Sequence, residues 1–210
     1  MVIIIIHELG HLSAAMYYGW NIEKVIIMPF GGLTLFNEDI NKPLKEEFLI
    51  LIMGPLIQII FTIFFKENIQ MLEYSKSILL FNLLPIYPLD GSKILNILLN
   101  KLYSFKKSHI ITIYISFIII IFTSLKNKFN LIYMIIMFFL TIKVIEEFKN
   151  HNNIFNKFLL ERYINNYNFK KYKIIRKPSQ MKRDYRHYIK NGKTHITERE
   201  YLKKRFDFHR

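Results

Sequence analysis

The sequence has no cysteine, so neither a disulfide framework nor a thiolate metal site can form. Any metal ion must be held by His, Asp or Glu. Charge is also scarce: Asp, Glu, Lys and Arg make up 22% of 210 residues, against 51% hydrophobic side chains. A soluble domain of this length is usually more polar. Acidic side chains are the scarcer sign, 16 against 30 basic ones, and the excess is uneven. Residues 1–142 carry 11 Lys/Arg and 9 Asp/Glu, whereas residues 143–210 carry 19 and 7. The chain therefore divides into a nearly neutral apolar body, residues 1–150, and a basic tail, residues 151–210. No cleavable signal peptide is visible: residues 1–6 lack a basic lead, and no small-residue cleavage site follows cleanly.

Long apolar runs fill the body. A helix needs roughly 20 mostly apolar residues to cross a bilayer. Five segments approach this: 1–18, 48–65, 78–99, 110–125 and 131–145. Gly54-Pro55 marks a kink in the second, and Pro85, Pro88, Asp90 and Gly91 break the third. Five such runs with short polar links are too dense for one soluble core. The expected fold is an all-α membrane protein of about five transmembrane helices, with a small membrane-associated β-hairpin and a basic cytoplasmic tail. The hairpin is read from the β-prone segments 25–28 and 33–36 around Pro29-Phe30-Gly31-Gly32. It either dips into the membrane beside a cavity or is an ordinary surface hairpin. The positive-inside rule puts the tail in the cytoplasm, together with loops 19–47 and 100–109. Met1 then lies on the far side with the first helix beginning at the membrane edge, so upstream residues are expected.

His7-Glu8-Leu9-Gly10-His11 is the sharpest chemical signal. Residues four apart share a helix face, so both imidazoles can meet one zinc ion. Glu8 beside them is placed to take the proton from a water that zinc activates. Ionisable side chains within a span are costly and usually functional. The competing reading is a histidine pair satisfied by hydrogen bonds between helices. A hydrolytic zinc site needs a third protein ligand, and no third His follows in Leu12-Ser13-Ala14-Ala15-Met16-Tyr17. Asp90 is the one carboxylate in the later runs of the body, within Asn82-Leu83-Leu84-Pro85-Ile86-Tyr87-Pro88-Leu89-Asp90-Gly91. The prolines and Gly91 unwind the helix there and turn Asp90 toward an interior cavity. Asn82 could hydrogen-bond substrate backbone or a developing oxyanion. Glu23 and Asn82 are the next candidates for third ligand.

At these residues the chain resembles the site-2 protease family of intramembrane metalloproteases, and within it the stage IV sporulation protein FB group. The likeness extends to Met28-Pro29-Phe30-Gly31-Gly32, Asn41-Lys42-Pro43-Leu44-Lys45-Glu46-Glu47-Phe48, Gly54-Pro55-Leu56 and Phe158-Leu159-Leu160-Glu161-Arg162-Tyr163. The resemblance implies that His7, His11 and Asp90 bind Zn2+ and that Glu8 is the catalytic base. It further implies that Asn82, Pro85 and Pro88 shape the substrate-binding loop. It implies a protein substrate, a membrane-associated sigma-factor precursor in a spore-forming bacterium, and inhibitory membrane partners in the cell or forespore membrane. Three features depart from the family: no hydrophobic segment precedes the catalytic helix, Asp90-Gly91-Ser92 replaces Asp-Gly-Gly, and only 47 residues follow Tyr163. The tail is accordingly expected to be at most a remnant of a CBS-like domain.

Lys, Arg and Tyr crowd residues 170–186, and Thr197-Glu198-Arg199-Glu200 reads as a capping box opening a short helix to about Phe206. Such a tail attracts anionic membrane lipid, can hold an acidic substrate, or only fixes topology. No nucleic-acid-binding signature accompanies it. His151, His187, His195 and His209 lack ligand spacing and read as surface residues. The competing functional classes are a catalytically inactive membrane scaffold that keeps the zinc motif and a metal transporter. The transporter is the weaker, since two of the runs are wholly apolar.

Overall fold

The structure, a computed structural model, describes residues 1–28, 31–65, 67–126, 131–192 and 194–207. Pro29 and Phe30 of the expected hairpin turn, and His209, lie outside the described residues. The order is α1 (Val2–Tyr17), β1 (Ile22–Met28), β2 (Gly31–Phe36), α2 (Leu44–Phe64), α3 (Ile69–Asn82), α4 (Asp90–Leu102), α5 (Phe105–Lys126) and α6 (Leu131–Ile164). Strand β3 (Lys171–Ile175), a 3-10 turn at Pro178–Gln180, β4 (Tyr185–Asn191), β5 (Thr194–Thr197) and α7 (Glu198–Phe206) complete it.

The first helices bury polar side chains among apolar ones and leave apolar side chains exposed. In α1 the buried residues fall at 3/4, 7/8, 10/11 and 14/15, one helical face that contains His7, Glu8 and His11. Val2, Ile5, Leu9 and Met16 on the other face are exposed. Helix α2 repeats the pattern, burying Gly54, Gln58 and Thr62 while exposing Leu56, Ile59, Ile60 and Ile63. A soluble helix has the reverse polarity; these surfaces suit lipid. Helix segments Leu44–Phe64 and Phe105–Leu125 are long and apolar enough to cross a membrane. Helix α1 is apolar but has 16 residues. The third run, 78–99, is not one helix: α3 ends at Asn82 and α4 starts at Asp90, with the two prolines in the link.

Small residues let α1 and α2 approach. A Cβ on Gly10 would collide with the backbone at Met53 and Gly54, so α1 and α2 touch main chain to main chain there. Strands β1 and β2 pair antiparallel with an irregularity between Ile22 and Lys24, and β2 lies beside α1. In α5, Ser108, Thr112 and Ser116 form a buried stripe. The Thr112 and Ser116 hydroxyls donate back to the carbonyls four residues earlier, at 3.0 and 2.9 Å.

Residues after 164 are folded rather than an extended tail. Helix α6 has 34 residues, about 51 Å at 1.5 Å per residue, well beyond a ~30 Å hydrocarbon core. It therefore runs without a break through residue 150, and its last turns enter a second core. Phe155, Phe158 and Leu159 pack there with Phe105, Ile175, Met181, Ile189 and Leu202. Strand β4 pairs parallel with β3 and antiparallel with β5. Thr197 caps α7 and closes a capping box with Glu200. Arg162 ties this unit to the body, donating to Asn41 Oδ1 at 2.6 Å, to the Lys182 carbonyl at 2.8 Å and to Glu198 at 2.9 Å. His187 corrects its reading as a surface residue. It is fully buried, its Nε2 accepts from the Lys182 backbone N–H at 3.0 Å, and its Nδ1 faces Glu198 at 3.1 Å.

Candidate metal centre

His7 and His11, one turn apart on α1, meet Asp90 at the first turn of α4. Asp90 Oδ2 lies 3.0 Å from Nε2 of each imidazole, and the two Nε2 atoms are 3.1 Å apart. The tautomers follow from the neighbours. The Ile50 carbonyl can only accept, so His11 Nδ1–H donates to it at 2.8 Å. The Gln58 amide donates to the Ser75 carbonyl at 2.9 Å, which turns Gln58 Oε1 toward His7 Nδ1 at 2.7 Å. With both protons on Nδ1, two Nε2 lone pairs and a carboxylate oxygen converge. Three acceptors at 3.0–3.1 Å call for a cation among them. The triangle is close to the edge of roughly 3.3 Å expected for a tetrahedron with bonds of 2.0–2.1 Å. His7, His11 and Asp90 are therefore the residues that could hold a metal ion.

Glu8 is buried beside this group, with one carboxylate oxygen within 4.8 Å of donor atoms on both histidines. Those three side chains form a possible metal cluster by themselves. Asp90, at 3.0 Å from both nitrogens, fits the ligand position better. The Glu8 carboxylate presses on Gly32 of β2, where any Cβ would collide with it. The hairpin thus walls the site. Gly54 does the same for His11, whose ring occupies the space a side chain there would need.

The link from α3 to α4 aims Asp90. The Tyr87 backbone N–H donates to Ser116 Oγ at 3.1 Å, pinning the link to α5. Gly91 packs against the carbonyls of Leu83 and Leu84, too close for any Cβ. The other Asp90 oxygen, Oδ1, faces the Lys93 ammonium at 3.6 Å. Of the residues expected from the sequence, His7, Glu8, His11 and Asp90 come together. Asn82 is buried at the end of α3, and Pro85 and Pro88 lie in the link. Among the described residues no hydrogen bond joins Asn82 to the imidazoles. Glu23 is exposed on β1. Gln58, Ile50, Ser75 and Lys93 were not singled out from the sequence; the one signal for Gln58 was an amide inside an apolar run.

The family model for Peptidase family M50 matches residues 1–73, which contain the paired histidines and Glu8. The chain belongs to this family, that of the site-2 proteases. It is 35% identical over 178 residues to stage IV sporulation protein FB of Bacillus subtilis, covering 78% of this chain and 62% of that protein. It is 38% identical over 119 residues to a zinc metalloprotease of Methanocaldococcus jannaschii, covering 50% of this chain and 34% of that protein. The chain thus spans less than two thirds of either relative's length. The solved site-2 protease of M. jannaschii superposes with a TM-score of 0.55 at 30% identity, covering 70% of this chain and 74% of that one.

Proposed function

We propose that this protein is an intramembrane zinc metalloendopeptidase that processes a membrane-associated sigma-factor precursor during sporulation. The observation that carries the catalytic part is the convergence of His7 Nε2, His11 Nε2 and Asp90 Oδ2 within 3.1 Å, with Glu8 buried alongside. When bound, zinc supplies Lewis acidity that activates water and polarises the scissile carbonyl. Glu8 accepts the proton of the attacking water and returns it to the departing amine. Gln58 and the Ile50 carbonyl hold the two rings with Nε2 facing inward, and Lys93 steadies the free oxygen of Asp90. Asn82, Pro85 and Pro88 line the approach for the substrate backbone. An intact donor set speaks against an inactive scaffold.

The sporulation assignment rests on the 35% identity to stage IV sporulation protein FB. In this reading residues 1–150 are the membrane-embedded protease and residues 151–210 a cytoplasmic unit facing the precursor. The enzyme sits in the cell or forespore membrane, where inhibitory membrane proteins restrain it. Co-expression of the chain with candidate sigma-factor precursors, with gel detection of a shortened product, tests the substrate. Shortening of the precursor is expected. Shortening of a transmembrane anti-sigma factor alone, with the precursor intact, would remove the sporulation assignment and leave the protease.

A further inference from the structure

A groove of about 480 Å3 opens between the α4–α5 link and strand β3. Leu102, Tyr103 and Ser104 form one wall; Lys173, Ile174 and Arg176, with Lys182, form the other. Among the described residues no carboxylate lines it. The Lys182 ammonium is fixed at the groove by donating to the carbonyls of Leu102 at 2.6 Å and Lys101 at 3.3 Å, the last turn of α4. Burial, and then the neighbouring charge of Lys173, lower Lys182 below the usual ammonium range, so the two cations repel. Lys107 adds a third cation over the Tyr103 ring, 4.7 Å from its centroid.

The rim of this basic groove is apolar. Leu102, Tyr103 and Ile174 are 68%, 39% and 53% exposed. It lies at the start of α5, a helix long and apolar enough to cross a membrane that begins at Phe105, directly after the link. The Phe105 N–H donates to the Met181 carbonyl at 2.9 Å, which fixes the basic wall at that helix end. Exposed apolar and aromatic side chains above clustered cations, at the mouth of a spanning helix, match a lipid whose headgroup is anionic. An acidic peptide would satisfy the cations and leave Leu102 and Ile174 unexplained.

We propose that this groove binds the headgroup of an anionic phospholipid, with Lys173, Arg176 and Lys182 on the phosphate and Leu102, Tyr103 and Ile174 against the acyl chains. The inference needs α5 to span the membrane but does not need proteolysis. The test is native mass spectrometry of the full chain in zwitterionic detergent, titrated with phosphatidylglycerol or with phosphatidylcholine. Wild-type protein should retain phosphatidylglycerol preferentially. Each basic residue near an anionic lipid surface strengthens binding roughly fivefold, so Lys173→Gln/Arg176→Gln should weaken it about thirtyfold. Both residues are exposed, and an unchanged circular dichroism spectrum checks the fold. Arg199→Gln/Lys203→Gln removes the same charge from α7, outside the groove, and should leave retention unchanged. Equal losses in both variants, no loss in either, or no preference between the lipids would overturn the proposal. A groove that takes an acidic peptide instead falls among those outcomes, and none bears on whether the chain cleaves a substrate.

Discussion

Replacing Gln58 by Leu removes the acceptor that holds His7, 51 residues away, without touching a proposed ligand. His7 Nδ1 lies 2.7 Å from Gln58 Oε1, and the Gln58 amide is itself held by Ser75 at 2.9 and 3.1 Å. All three side chains are buried, so no water replaces the lost partner. In the variant, Nδ1–H loses its acceptor and the ring is free to rotate or change tautomer, placing a proton on the metal-facing nitrogen. Partners that orient a metal-binding histidine are typically worth ten- to hundredfold in metal affinity, about 1.4–2.8 kcal/mol. Zinc affinity measured by chelator competition should fall by that factor, and cleavage should fall with it at limiting zinc. Gln58→Glu keeps an acceptor for Nδ1–H and should bind zinc more tightly than Gln58→Leu. Gln58→Leu with wild-type zinc affinity would refute the tautomer argument and the inward orientation of His7.

Asp90→Ala should lose both zinc and cleavage; full zinc occupancy by elemental analysis would reassign the third ligand. Gly54→Ala forces a methyl group into the His11 ring, and overpacking of this kind costs about 1–3 kcal/mol. Its melting temperature and its zinc retention under chelator should fall together. The unit after residue 164 should lose stability on acidification. Burial lowers His187 despite its Glu198 contact. Burial alone would raise Glu198, but His187 and Arg162 outweigh it and hold that carboxyl below the usual range. Both groups bind fewer protons folded than unfolded, so stability is full above the ordinary imidazole value and falls below about pH 6.5, then again below about pH 4.5. A pH series of melting curves should show this, and Glu198→Gln should flatten the lower step.

The paired histidines, Glu8 and Asp90 were legible in the sequence for local reasons. Helical spacing puts His7 and His11 on one face, and a lone carboxylate after two prolines in an apolar stretch points inward. Gln58 was not legible, since its role exists only because Gly10 and Gly54 let α1 and α2 touch. The break in the third apolar run was legible too, since Pro85 and Pro88 mark it locally; its extent, with α3 ending at Asn82 and α4 starting at Asp90, was not. The folded unit after residue 164 was hidden by its charge. Its core is completed by Phe105 and Phe158, distant in sequence, so His187 could be seen as buried only once β4 lay beside β3.

The central claim is that Glu8 moves the proton while His7, His11 and Asp90 hold the metal. Cleavage by zinc-loaded Glu8→Gln, with zinc content measured on the same sample, tests it directly. Near-normal zinc with cleavage abolished is the expected result. Cleavage at the wild-type rate would contradict the metalloprotease mechanism.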